Sequence, residues 1–441
     1  MRVNVGRALS IAWVLAAFGC AGAADPSTAP DATEDPLVDI PVSSIRDQKE
    51  TGNCWLYATT SWVEGIELAA LRAKADADGT NVTAPPPLSI SYYDYWDWYS
   101  TITHGGIKST VAKTIREDEL DAGGSWGAAV ELIAKRGLVR AVDFGGGTGI
   151  MKDADITNTA LAAMATSLVT GPLATKAARK DGALVRAELD KAFHLSPAMK
   201  NALTAVFGAD GKRALDDGTA TSSSSIIISP ADLEVLAPRG GAAAAATTPE
   251  TRPLLDVIGK RASGDDPDHR TGPYAWSVVS YEHHAPAATR AYFKRIQLAL
   301  HAGVPVPISW FLADNVDPDG TLGAYKNVPA VPAGATDSVD HETLIVDYEV
   351  TDVPGVGTLK AGVDATPAER DAALDDSAKI VFFRVKDSYA THVVNSKRVT
   401  MNDLYVDYLT GKVRVCPVGA PTSPKCHDVI PLEDVTLPPG F

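Results

Sequence analysis

Between Cys54 and Arg72 the residues Trp55, Ala58, Thr59, Trp62, Ile66, Ala69 and Ala70 recur at helical spacing, which predicts one long helix with that stripe buried. Gly52 and Asn53, just before it, suit a turn and a cap. A second helix is predicted over Trp126 to Lys135, stopping near Gly137. Helical patterns return at Thr157 to Val169, Ala183 to Phe193 and Pro197 to Phe207; Ser196 caps the last, with Pro197 at its first position. Beyond about residue 273 the period shortens to two. Val304 to Leu312, following a helix that ends near Gly303, Glu342 to Val350 and Lys379 to Lys386 read as strands. The alternation of Val381, Phe383 and Val385 puts Asp387 on their face at the strand end. The 352–378 segment, rich in acids, reads as a surface loop.

These patterns predict an α+β protein. Residues 37–144 carry helices and a cluster of aromatics. Residues 145–272, poor in aromatics and rich in Ala, Gly, Ser and Thr, read as an inserted and mostly helical subdomain, with loops at Thr221 to Ser225 and Gly240 to Thr248. Residues 273–410 are strand-rich, and 411–441 form a Pro-rich tail. At 441 residues the chain exceeds one ordinary domain, and a hydrophobic content of 45% supplies a sizeable core. No internal repeat interrupts this plan.

The first residues change the picture of where the protein works. Arg2 and Arg7 precede an apolar run from Ala8 to Phe18, too short to span a bilayer comfortably, so residues 1–24 read as an export signal. Two endings compete. Ala21 to Ala24 offers small residues for ordinary cleavage, whereas Ala17-Phe18-Gly19-Cys20 is similar to a lipobox that would leave Cys20 lipidated. Residues 25–36 form a flexible tether in either case. The expected location is therefore outside a bacterial cytoplasm: outer-membrane lipoprotein, periplasmic or secreted. A formal net charge of −15 argues against nucleic acid or anionic lipid surfaces as the main partner.

Four cysteines divide unevenly. Cys20 belongs to the signal. Cys416 and Cys426 bracket a Pro/Gly/Ser turn region, and an exported protein can keep such a pair oxidised, so a disulfide is expected there. Cys54 is left alone at the start of the first helix, where unpaired N–H groups and the helix dipole favour a thiolate. The alternative for Cys54 is a buried, inert thiol. His283-His284 has no acidic or cysteine partner at ligand spacing, so neither a metal nor another cofactor is expected.

Thiol catalysis needs a thiolate, a base, a group that orients the base and donors for an oxyanion. Gln48-Lys49-Glu50-Thr51-Gly52-Asn53-Cys54-Trp55 resembles the Q-x-x-x-x-C-[GS]-x-C-W stretch of the papain superfamily, and more closely the Q-K-x-x-G-x-C-W of its bleomycin hydrolase branch. Leu88 to Asp97 resembles that branch's L-S-x-x-Y-x-x-x-W-D. Asp121 to Trp126, running on to Lys135-Arg136-Gly137-Leu138-Val139, is similar to its D-G-G-x-W block and K-x-G-L-V helix end. Asp340-His341 before an apolar strand resembles the histidine block, and Phe383 to Tyr389 resembles W-x-V-x-N-S-W. Five blocks in family order cover most of the chain outside the insertion and tail.

The resemblance implies a papain-like two-lobed fold with a helical left lobe and an antiparallel β right lobe. It further implies that Cys54 attacks a carbonyl to form a thioester and that His341 pairs with it and protonates the leaving amine. Asp387 would orient His341, and Gln48 with the Cys54 backbone N–H would hold the oxyanion. Gly123 and Gly124 would offer backbone hydrogen bonds to an extended peptide, with Tyr389 beside the substrate. The spacing from Cys54 to His341 far exceeds the roughly 130–150 residues of plain papain-like enzymes, and the middle region nearly accounts for the surplus.

Four positions depart from the family pattern. Asp387 stands where Asn is usual, which still accepts from the imidazole and further stabilises its cation. Tyr389 replaces a shielding tryptophan, and Thr51 replaces a cysteine of the secreted branch. Glu342 follows the histidine where an apolar residue is usual, and strand alternation would point it away from His341. With the signal removed, too little chain precedes the catalytic block for an inhibitory propeptide, so the enzyme is expected either to be born active or to have its cleft restricted by the insertion or the tail. The implied function is hydrolysis of peptide bonds in peptide or protein substrates. Two alternatives stand beside it: a papain-fold protein that binds peptides or a partner without turnover, and a thiol acyltransferase or transpeptidase.

Overall fold

The structure, a computed structural model, describes residues 40–441 apart from 41, 44–45, 50, 121–122, 145–152, 221–223, 241–249, 263, 265, 283–284, 313–323, 326–338, 389–392, 395–396, 399–400, 416–423 and 425. The signal, the tether, Cys20, Cys416, Tyr389 and the His283-His284 pair all lie outside the described residues.

Helix α1 runs Cys54–Asp78, a turn and a half longer than the apolar stripe suggested, and ends on Gly79 in the left-handed conformation. It is buried on nearly all sides from Trp55 to Glu67, because other elements close around it. Helix α2, Ile90–Thr103, is one that periodicity did not predict: aromatic residues occupy every side of it, so no apolar stripe stands out. Ser89 caps it through Tyr92 N at 3.2 Å. Helix α3, Trp126–Arg136, is capped by Ser125 and stops at Gly137, as its sequence signals say.

Helices α4 (Asp153–Val169), α5 (Gly182–Ala192) and α6 (Pro197–Phe207) form most of the helical part of the 145–272 stretch, with Ser196 capping α6 through Met199 N. Helices α4 and α5 pack directly on α2. Trp96 meets Phe207 edge-on at 4.9 Å, Tyr95 meets Phe193 at 5.6 Å, and the Arg136 guanidinium lies 3.9 Å over the Trp96 ring. Such ring pairs add about 0.5–1.5 kcal/mol each beyond the area they bury. After residue 207 the stretch is no longer helical for long. Strands β1 (Glu234–Leu236) and β2 (Thr251–Pro253) pair antiparallel, β1 lies on α1, and Leu138 bridges Ile228.

Helix α7, Pro286–His301, leads into the main sheet. The sheet's strands are β3 (Ser277–Ser280), β4 (Val306–Leu312), β5 (Ala324–Tyr325), β6 (Val339–Val353), β7 (Lys379–Lys386), β8 (Met401–Tyr405) and β9 (Leu432–Leu437). Their order is β3-β9-β4-β6-β7-β8-β5, antiparallel except for the last pair. Two expectations change here. The stretch read as a Pro-rich tail supplies β9, an inner strand whose Leu432, Val435 and Leu437 are buried, so apolar alternation outweighs the prolines around it. The stretch read as a loop over 352–378 contains a short strand, Gly357–Leu359, folded back on β6, and a helical turn, Pro367–Ala372, with a complete Thr366–Glu369 capping box. No helix among the described residues is long and apolar enough to cross a membrane.

Candidate active site

Cys54 is a free thiol, half-buried, at the first residue of α1. Asn53 occupies the cap position, yet its side chain makes no capping bond. It donates to Asp94 at 3.2 Å and accepts from Thr51 Oγ1 at 2.6 Å. Asp94 is held in turn by Thr157 at 2.6 Å, so α2 and α4 fix the turn that presents the sulfur. The sequence reading gave Asn53 to the helix; the buried Asp94 takes it instead. The helix start therefore keeps its N–H groups for whatever sits at Cys54.

Strands β6 and β7 bring the other groups. His341, 1% exposed, lies on β6, and its Nε2 is 2.9 Å from Asp387 Oδ1 just past the end of β7. Cys54 Sγ lies close enough to His341 for their charges to act on each other, and the backbone N–H groups of Glu342 and Trp55 face the sulfur. Burial would raise the thiol's pKa, but the imidazole and the two N–H groups bring it below its ordinary value. Burial likewise disfavours the imidazolium, and the Asp387 carboxylate, with the sulfur's help, reverses this and pushes His341 up to about 10. The two shifts run in opposite directions for one reason: each partner's charged form stabilises the other's.

Gln48, Gly123 and Gly124 are the other predicted site residues among the described ones. Gln48 is fully buried; its Nε2 donates to Thr51 O at 2.7 Å, its backbone N–H donates to Ser388 O at 2.8 Å, and its Oε1 accepts from Ser388 Oγ. Gly123 has φ +78°, and a Cβ on Gly124 would stand 2.6 Å from the Trp55 ring, so this exposed glycine pair lies against the residue that follows Cys54.

Three further residues escaped the sequence reading. Trp310 on β4, opposite His341, sets its ring edge-on to the imidazole at 5.5 Å and walls it from solvent. Ser388 holds Gln48. Lys386, fully buried, donates to Ser43 at 2.8 Å and Ser61 of α1 at 3.0 Å, pinning the strand end that carries Asp387 to the helix that carries Cys54; burial lowers its pKa to about 7. A lysine closing an apolar-alternating strand was the available signal. Among the described residues no three His, Cys, Asp or Glu side chains converge on a point as metal ligands.

No protein-family model and no curated protein matches the sequence. Among solved structures, the chain is similar to PepW from Lactobacillus rhamnosis HN001, at 14% identity over 92% of this chain and 82% of that one, with a TM-score of 0.39. It is also similar to xylellain, a cysteine protease from Xylella fastidiosa, at 10% identity over 94% of this chain and 91% of that one, with a TM-score of 0.33. Likenesses this distant transfer no function, and the chemistry of the site has to be judged on its own geometry.

Proposed function

We propose that the protein is a cysteine peptidase of papain-like, two-lobed build that cleaves peptide bonds through a thioester on Cys54. One observation carries the reading: a sulfur at an uncapped helix start sits beside an imidazole whose charge acts on it and whose Nε2 is held by a buried carboxylate at 2.9 Å.

The chemistry follows from that arrangement. The Cys54 thiolate adds to the scissile carbonyl carbon, and the carbonyl oxygen becomes an oxyanion facing the Cys54 N–H. The Gln48 amide nitrogen carries a second N–H beside the one given to Thr51, and that bond serves the oxyanion; one such donor contributes about 10²–10³ in rate. The C–N bond then breaks, and the amine leaves with the proton from the His341 imidazolium. Water attacks the thioester, His341 takes its proton, and the thiolate is released with the acid product. Asp387 keeps the imidazole oriented and cationic until the amine needs its proton.

Export, with residues 1–24 as a signal that is cleaved off or leaves Cys20 lipidated, belongs to the same proposal, supported by Arg2, Arg7 and the short apolar run. A Cys416–Cys426 disulfide is supported by the pairing of their neighbours, Val415 and His427, across a small antiparallel ladder. The test of the hydrolase reading is labelling with an epoxysuccinyl thiol probe alongside cleavage of fluorogenic peptides. Labelling at Cys54, blocked by Cys54→Ala, together with peptide turnover is the expected result. Labelling without turnover of any peptide would point to binding alone, and consumption of the thioester by added amine in preference to water would point to acyl transfer.

A further inference from the structure

Beside the sulfur lies a second acid that the mechanism does not use. Glu342 follows His341 on β6 and faces the other way, in a row that crosses the sheet: it pairs with Ser309 on β4, and Ser309 pairs with Asp434 on β9. Opposed residues on antiparallel strands share a face, so Glu342 and Asp434 flank Ser309 on one side of the sheet. Asp268 is near enough for its charge to act on both acids. It accepts from Ser125 Oγ at 2.9 Å and Gly127 N at 2.7 Å at the start of α3, directly after the Gly123-Gly124 pair.

Glu342 is 5% exposed, and its Oε1 has no hydrogen-bond partner among the described residues. Burial first, and then the Cys54, Asp434 and Asp268 charges, push its pKa well above the carboxylate range, with His341 opposing. Asp434 is raised to about 6 by burial and Asp268, against the pull of its bond from Ser309. The nearby basic side chains are engaged elsewhere: Lys386 with Ser43 and Ser61, and Arg46 with Glu64 and Asp153. A buried carboxyl oxygen left unpaired is destabilising unless a partner arrives. No three of these acids converge closely enough to ligate a metal ion, whereas an ammonium or guanidinium, which reaches carboxylates through hydrogen bonds of about 2.7–2.9 Å each, suits the wider spacing.

We propose that Glu342, Asp434 and Asp268 form an acidic pocket beside Cys54 that receives an organic cation of the peptide substrate, borne by a Lys or Arg side chain next to the scissile bond or by a free amino terminus. This rests on the peptidase reading and names its substrate class. Its test needs no turnover. Calorimetry on the Cys54→Ala protein compares three peptides of equal length: acetylated with Lys, acetylated with norleucine in its place, and norleucine with a free amino terminus. One cationic peptide is expected to bind at least about tenfold tighter than the neutral one, and which of the two does so identifies the source of the charge. Adding Glu342→Gln should abolish that preference, and adding Asp434→Asn instead should reduce it. Equal binding of all three, no binding of any, or a preference that survives both substitutions overturns the pocket. A clear preference in a protein whose intact Cys54 form cleaves nothing would sink the hydrolase reading and leave the pocket standing.

Discussion

The layer around α2 and the seam between α1 and the sheet are both buried, but they are filled by different rules. Around α2, rings meet rings edge-on, and several polar groups pair within the layer: Tyr95 Oη reaches Asp190 at 2.7 Å, and Asp94 accepts from Asn53 and Thr157. In the seam, Cys54, His341, Asp387, Lys386 and Glu342 crowd together, and most of them have shifted acidities. Burying charge costs free energy that burying rings does not. The proposed chemistry draws on the second region.

The comparison predicts a double dissociation, which could break it. Cys54→Ala should lower peptide cleavage by at least about 10⁴-fold, the scale at which removing a nucleophile acts, while the thermal midpoint moves little because one small, half-buried group is lost. Cleavage that survives the substitution would end the account of the seam. Trp96→Ala should do the reverse. Removing a fully buried ring that also carries the Arg136 guanidinium is expected to cost about 3–5 kcal/mol in chemical denaturation, with kcat of the remaining folded protein unchanged. A fall in kcat at constant stability would mean that the two regions are not separable.

Asp387→Asn sharpens the comparison with a smaller effect. The amide still accepts from His341 Nε2–H but no longer supplies the charge that holds the imidazolium. With His341 near 10, the proton donor for the leaving amine is present at all pH values below that and is lost as pH rises through it. In the variant this alkaline limb should move down toward the ordinary histidine value of about 6.5, with a loss of roughly tenfold at neutral pH. A pH–rate profile with an unmoved limb would remove Asp387 from its assigned part.

The sequence disclosed these regions unequally. Cys54 was legible because helical spacing begins at its neighbour Trp55 and a helix start favours a thiolate. His341 and Asp387 lie far along the chain, and nothing local in them announces a meeting with Cys54; family-like blocks named them, and the β4–β6–β7 register is what brings them there. Helix α2 was missed because aromatic residues on every side erase the period of 3.6. Strand β9 was missed because prolines on both flanks mask a short alternation. The use of Asn53 by Asp94, rather than by the helix it precedes, is a tertiary choice between residues 41 positions apart, which local cap rules do not see.

The central claim is that Cys54 and His341 exist as a thiolate–imidazolium pair, and titrating the thiolate absorbance of the intact protein against that of Cys54→Ala tests it most directly. The account predicts a difference signal already present well below the ordinary thiol value of about 8.5 and diminished by His341→Ala. A Cys54 that ionises at or above that value, unaffected by the loss of His341, would contradict it.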